Sequence, residues 1–106
     1  MLARKSATLQ NAAAAVDVGV FTPCDQYTTA VFQVNSLAGT ITFVASIDGG
    51  TFSTVTATDL QTGASKTQTA QNGLYRLNVG SLNFVGSVLS NLTAGNPTVL
   101  VELSDQ

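Results

Sequence analysis

The chain has 106 residues, four lysines and arginines against six acids, a net charge of −2 and no histidine. That length makes one domain with a modest core. The charge balance offers no basic stripe for nucleic acid, and without histidine neither a Ser-His-Asp nor a Cys-His arrangement can form.

Only 9% of the residues are charged, against about 25% in an ordinary soluble domain. Such a surface suits a β protein whose outward faces are Thr and Ser ladders. It also suits a subunit that hides surface against other copies or partners, because charge is depleted at interface centres. Cys24 is the single cysteine, so no intrachain disulfide is available, and its expected role is a small packed residue. Met1 to Lys5 begins like a signal peptide, but the apolar run Ala12 to Val16 is shorter than the roughly 7–15 residues a signal core needs. No stretch approaches the ~20 apolar residues of a membrane span. The expectation is a soluble chain with no membrane partner and no cleavable address.

In chain order, residues 1–15 are the least strand-like. Ala12 to Ala15 favours helix by propensity but lacks amphipathic spacing. These residues are expected to form an arm, with a turn of helix or a first edge strand, outside a β-sandwich domain spanning residues 16–106. Leu2, Leu9, Ala13 and Val16 are its candidate partner-binding side chains. Val16, Val18 and Val20 alternate with Asp17 and Gly19 as a first clear strand, broken at Pro23, which belongs to an edge or a connection.

Tyr27 to Asn35 predicts a strand with Ala30, Phe32 and Val34 on one face. Thr40 to Ile47 predicts a central strand with Ile41, Phe43, Ala45 and Ile47 inward, ending at the hairpin signal Asp48-Gly49-Gly50. Thr51 to Thr58 should pair back on it. Ser65 to Thr69 is a weak strand, placed at an edge where Lys66 discourages stray pairing. Leu74 to Val79 turns Tyr75, Leu77 and Val79 inward and Arg76 and Asn78 outward. Phe84 to Asn91 and Thr98 to Ser104 close the domain, with Val99, Val101 and Leu103 inward and Glu102 outward. About eight short strands at this spacing predict an all-β fold, an antiparallel sandwich of Ig-like or jelly-roll-like type.

Little in the chain carries chemistry. The six acids are scattered, and Asp48 and Asp59 stand at turn signals, where aspartate caps its own backbone. Asp48-Gly49-Gly50 lacks the remaining oxygens of a calcium loop, and no lysine follows it to complete a phosphate cradle. No catalytic, cofactor or metal site is expected, and no enzyme activity. Asn91-Leu-Thr93 matches a glycosylation triplet of a kind that arises often by chance. For a glycan-binding module, Tyr27, Tyr75 and the Asn and Asp loop residues would supply stacking and hydrogen bonds. The absence of tryptophan argues against that reading.

Two stretches carry a resemblance. Thr40-Ile-Thr-Phe-Val-Ala-Ser-Ile-Asp-Gly-Gly-Thr-Phe52 is similar to a strand-and-turn run of small β-sandwich structural proteins of tailed bacteriophage virions. Asn72-Gly-Leu-Tyr-Arg-Leu-Asn-Val-Gly-Ser-Leu82 is similar to the run that follows it there, and Phe84 to Leu103 resembles their closing hairpin. The likeness covers Val31 to the C-terminus. Phe52 stands where those proteins usually have tryptophan, and Val85-Gly86-Ser87 lacks the arginines often found on that strand. The resemblance implies a non-enzymatic virion protein that binds through strand edges and the arm: a head decoration or cement protein, or a tail or fibre component. Its implied partners are other virion proteins, a major capsid or tail protein, together with further copies of itself.

Overall fold

The structure, a computed structural model, describes residues 4–10, 21–35, 39–90 and 97–105. In these it has eleven strands: β1 (Arg4–Gln10), β2 (Thr22–Pro23), β3 (Thr29–Asn35), β4 (Thr40–Ser46), β5 (Ser53–Thr54), β6 (Ala57–Asp59), β7 (Ser65–Lys66), β8 (Gln68–Thr69), β9 (Gly73–Asn78), β10 (Phe84–Ser90) and β11 (Thr98–Ser104). The count exceeds eight because the polar stretch from Ser53 to Thr69 is cut into four two- and three-residue pieces and because β1 and β2 are added ahead of β3.

One sheet runs β1-β11-β3-β9-β6-β7, the other β2-β10-β4-β5 with β8 also on β4. Every ladder among the described residues is antiparallel. This is the sandwich that the alternation predicts. Pro23 lies in an edge strand beside Phe84, where its missing N–H costs nothing. Lys66 lies on β7, the last strand of the six-stranded sheet.

The core follows from parity. Ala30, Phe32 and Val34 of β3, Ile41, Phe43 and Ala45 of β4, and Val99, Val101 and Leu103 of β11 are buried, as are Tyr75, Leu77 and Val79. Phe43 meets Phe32 (centroids 5.2 Å) and Tyr75 (5.3 Å) from the opposite sheet in tilted geometry, a favoured aromatic arrangement. Two polar links flank this centre. The Tyr75 hydroxyl lies 2.7 Å from Thr69 Oγ1 of β8 and donates to the Gln71 carbonyl at 2.9 Å, so the buried phenol is satisfied. Gln10 Nε2 donates to the Ser87 carbonyl of β10 at 3.1 Å.

For residues 4–10 the structure takes one of the two alternatives expected of the arm, the first edge strand, and joins it to the sandwich. Residues 4–10 are an edge strand of the six-stranded sheet, paired from Arg4↔Ser104 to Gln10↔Val99. Between Thr8 and Gln10 the register slips by one residue, a β-bulge. The slip turns both Leu9 and Gln10 inward, each 1% exposed. Single-sequence propensity does not choose between helix and strand here because the strand is made by its partner β11, not by its own composition. The expected strand from Val16 to Val20 lies outside the described residues.

Thr51 to Thr58 does not pair back as one strand. Ser53 and Thr54 lie against Ala45 and Val44, and Val55 N still donates to the Phe43 carbonyl at 2.9 Å. Ala57 to Asp59 then belong to the other sheet, beside β9. The chain changes sheets again at Thr67, between β7 and β8, where the Thr67 carbonyl accepts from Phe43 N at 3.1 Å. The turn before β5 is built as predicted. Asp48 Oδ1 accepts from Thr51 N, Gly50 N and Ser46 Oγ, all at 2.9 Å, and Gly49 takes φ 77°. The two backbone donors at Thr51 and Gly50, then the Ser46 hydroxyl, hold the Asp48 carboxyl below its ordinary range.

On the outer side of the five-stranded sheet, Phe21 and Phe52 stack at 3.9 Å and 19°. Phe21 lies directly over Gly86, where a methyl group would collide with the ring. Val44, the register partner of Gly86, is buried on the same side. Gly86 is therefore glycine for space. Gly86→Ala should lower stability by about 1–3 kcal/mol in denaturant melts, and most of that loss should vanish in a Phe21→Ala background. Asp48 supplies a pH test. Its folded pKa is depressed, so its contribution is full above the unfolded value of about 3.9 and fades as pH falls through the lower folded value. The melting-temperature gap between wild type and Asp48→Asn should be open at neutral pH and close below about pH 4.

Candidate interaction surface

Cys24 is 0% exposed, and burial, then the neighbouring Asp25 charge, push its thiol up to about 11. A thiol in that state is no nucleophile. Among the described residues no group of three or more His, Cys, Asp or Glu side chains could hold a metal ion. Tyr75, 1% exposed, has no open ring face for a sugar, and Tyr27 is packed against the core. Of the two tyrosines expected for a glycan platform, Tyr75 is thus core and Tyr27 is partly buried against it.

The informative surface is the outward face of the six-stranded sheet. Its register sets side chains in rows across the strands. Ser6, Glu102, Val31, Arg76 and Thr58 form one row. Thr8, Leu100, Gln33 and Leu74 form the next. Leu60 extends that row, since its N–H donates to the Leu74 carbonyl at 3.0 Å. Arg4, Ser104, Thr29 and Asn78 form the third.

Four large hydrophobic side chains are exposed among the described residues: Ile47, Leu60, Leu74 and Leu100. Three of them share the single Thr8-to-Leu60 row. Scattered exposed leucines are ordinary, but their alignment beside Val31 makes a contiguous apolar band. A shallow hollow of about 430 Å³ runs along it between Thr8, Leu100, Gln33 and Leu74. A second, polar hollow of about 720 Å³ continues on the same face between Arg4, Glu102, Arg76 and Asn78. Arg4 Nη1 donates to Glu102 Oε1 at 2.6 Å. Both side chains are half-exposed, so the pair contributes at most about 1 kcal/mol.

The fourth, Ile47, is expected inward with Ile41, Phe43 and Ala45, yet it is 68% exposed. β4 ends at Ser46, whose hydroxyl accepts from Gly49 N at 2.9 Å and bends the chain into its turn. Ile47 therefore falls past the last strand residue, and parity no longer aims it. Its carbonyl accepts from Asn83 Nδ2 at 2.7 Å, which holds the tip against the loop after β9.

Of the four side chains expected to bind a partner, Leu9 is in the core and cannot serve as a free anchor. Leu2, Ala13 and Val16 lie outside the described residues. Sequence reasoning does not single out Leu74, Leu100 or Leu60. Leu74 and Leu100 stand at outward parity beside Tyr75 and Val101, a signal that an apolar residue on the polar face leaves in plain view. That they form one row is a matter of strand order, which parity does not contain.

The chain matches no protein-family model and no curated relative. Among solved structures it is similar to the SPBc2 prophage-derived protein YomS, with TM-score 0.91, 18% identity, and 98% of this chain aligned to 95% of that one. It is also similar to the PBSX exported protein XepA, with TM-score 0.92, 11% identity and 97% of this chain aligned. This chain spans 38% of the XepA chain. At these identities the shared property is the fold; of these two neighbours YomS is described as prophage-derived and XepA as exported.

The buried thiol gives a direct check on the core. Cys24 in the native protein should stay unmodified by a thiol reagent at pH 8 while the denatured chain reacts fully. Modification of the native protein at the denatured rate would show that this corner is open.

Proposed function

We propose that the chain is a non-enzymatic structural subunit of a tailed-phage virion, a decoration protein seated on the capsid shell. The observation that carries the reading is the apolar row on the outward sheet face. A domain with so few charges has aligned Leu100, Leu74 and Leu60 on one surface, as a protein does when its work is to dock. The prophage origin of YomS, whose length this chain matches almost end to end, supports a phage setting. The exported character given for XepA supports a protein that works outside the host cytoplasm. Docking rests on sheet faces and on β1, the terminal strand of its sheet among the described residues, with apolar burial and strand pairing as the attractive terms.

Quantitative mass spectrometry of purified particles from the encoding phage tests this. A copy number comparable with that of the major shell protein is expected. A count far below it would move the subunit to the tail or neck, and its absence from the particle would overturn the reading.

A further inference from the structure

β3 has matched chemistry on its two sides. Thr29 is flanked by Ser104 of β11 and Asn78 of β9, Val31 by Glu102 and Arg76, and Gln33 by Leu100 and Leu74. Each flanking pair would attract if brought together: hydrogen-bonding with hydrogen-bonding, acid with base, leucine with leucine. A half-turn about an axis lying in the face along β3 does bring them together. It lays β11 of one copy over β9 of a second, so that Leu100 meets Leu74, Glu102 meets Arg76 and Ser104 meets Asn78, each contact occurring twice. The next strands out, β1 and β6, then place Ser6 over Thr58.

We propose that this face is an isologous dimer interface whose occupant is a second copy of the chain. Such self-complementarity is what a two-fold interface requires. The charges are placed for it as well. Among the described residues Arg76 makes no ion pair, while Glu102 is bonded only on its far side, to Arg4. Sheets packed face to face cross at about −30°, and the long Glu102 and Arg76 side chains can span the small offset this introduces. Five strands about 4.8 Å apart, carrying three outward rows, cover roughly 24 by 20 Å. That is about 1,000 Å² summed over both copies, near the lower bound of a specific interface. An interface of that size belongs to the weak, reversible end of specific complexes, and its area alone does not set the constant. The inference takes up the same row that carries the virion reading. Where a second copy covers this face, docking on the particle falls to the edge of β1 and the other faces, and sedimentation of the isolated chain can fail or succeed whatever the copy number on the particle.

The test is sedimentation of the full chain over a concentration series, with two charge reversals. Glu102→Arg sets arginine against Arg76 of the other copy, and Arg76→Glu sets glutamate against its Glu102. Each variant alone should weaken dimerisation by roughly tenfold or more. An equal mixture of the two should restore it. In the mixed dimer one contact sets the introduced arginine against the introduced glutamate, and the other keeps a native Glu102–Arg76 pair. Both positions are exposed. Arg76→Glu should melt as wild type, and Glu102→Arg, which loses its Arg4 pair, should lose about 1 kcal/mol at most. The mixture rescues association without relying on either variant's stability. A wild-type chain that stays monomeric up to roughly 1 mM, where even a weak association shows, would overturn the proposal and leave the face to a different protein. Dimerisation indifferent to both reversals, or a mixture no tighter than its components, would overturn it too.

Discussion

The three rings of Phe32, Phe43 and Tyr75 set the direction of everything else. Phe43 comes from one sheet, the other two from adjacent strands of the opposite sheet, and the rings meet at centroid distances of 5.2 and 5.3 Å. Because side chains alternate with period two, fixing those rings inward fixes every other residue of β3, β4 and β9. A slip of one residue would carry Phe32 into water and Gln33 into the core. The buried polar links at Gln10–Ser87 and Tyr75–Thr69 act in the same sense, since each is satisfied only in one register. The outward rows are the other half of this constraint: whatever lies beside Val31 outside is decided by what packs beside Phe32 within.

The sequence reads well where local pattern and burial agree. β3, β9 and β11 show clean alternation, β4 does so as far as Phe43 with Val44 the exception, and their inward sets are those the pattern names, apart from Ile47. The turn at Asp48 is legible because aspartate and two glycines carry their own hydrogen-bonding and backbone requirements. Reading fails where structure is lent by a distant partner. β1 is a strand because β11 offers it an edge 98 residues away, as the Arg4–Glu102 pair shows. The polar segment Ser53 to Thr69 passes from one sheet to the other and back, and few of its own side chains say so. Ile47 fails for a smaller reason: parity holds only up to the residue where the strand stops.

The interaction surface is half legible. Leu74 and Leu100 are apolar residues at polar parity, visible from the strands alone. The alignment of Leu100, Gln33, Leu74 and Leu60 depends on β11, β3, β9 and β6 lying side by side, an order that no local pattern encodes. The expected anchors Leu2, Leu9, Ala13 and Val16 rest on the assumption that a segment weak in strand character lies outside the core, and for Leu9 the bulge in β1 reverses that. The shared fold of YomS and XepA at 18% and 11% identity fits this view. The scaffold needs only alternation, a few turns and a filled interior, which leaves the outward rows free to differ between proteins.

The register of β3 between its two neighbours is the claim on which core and surface both stand. Cross-strand nuclear Overhauser contacts in the isotope-labelled protein measure it directly. The account predicts that Val31 shows contacts to both Glu102 and Arg76, and Phe32 to both Val101 and Tyr75. Contacts shifted by one residue, pairing Val31 with Val101 or Tyr75, would turn the outward rows into the interior and contradict the account.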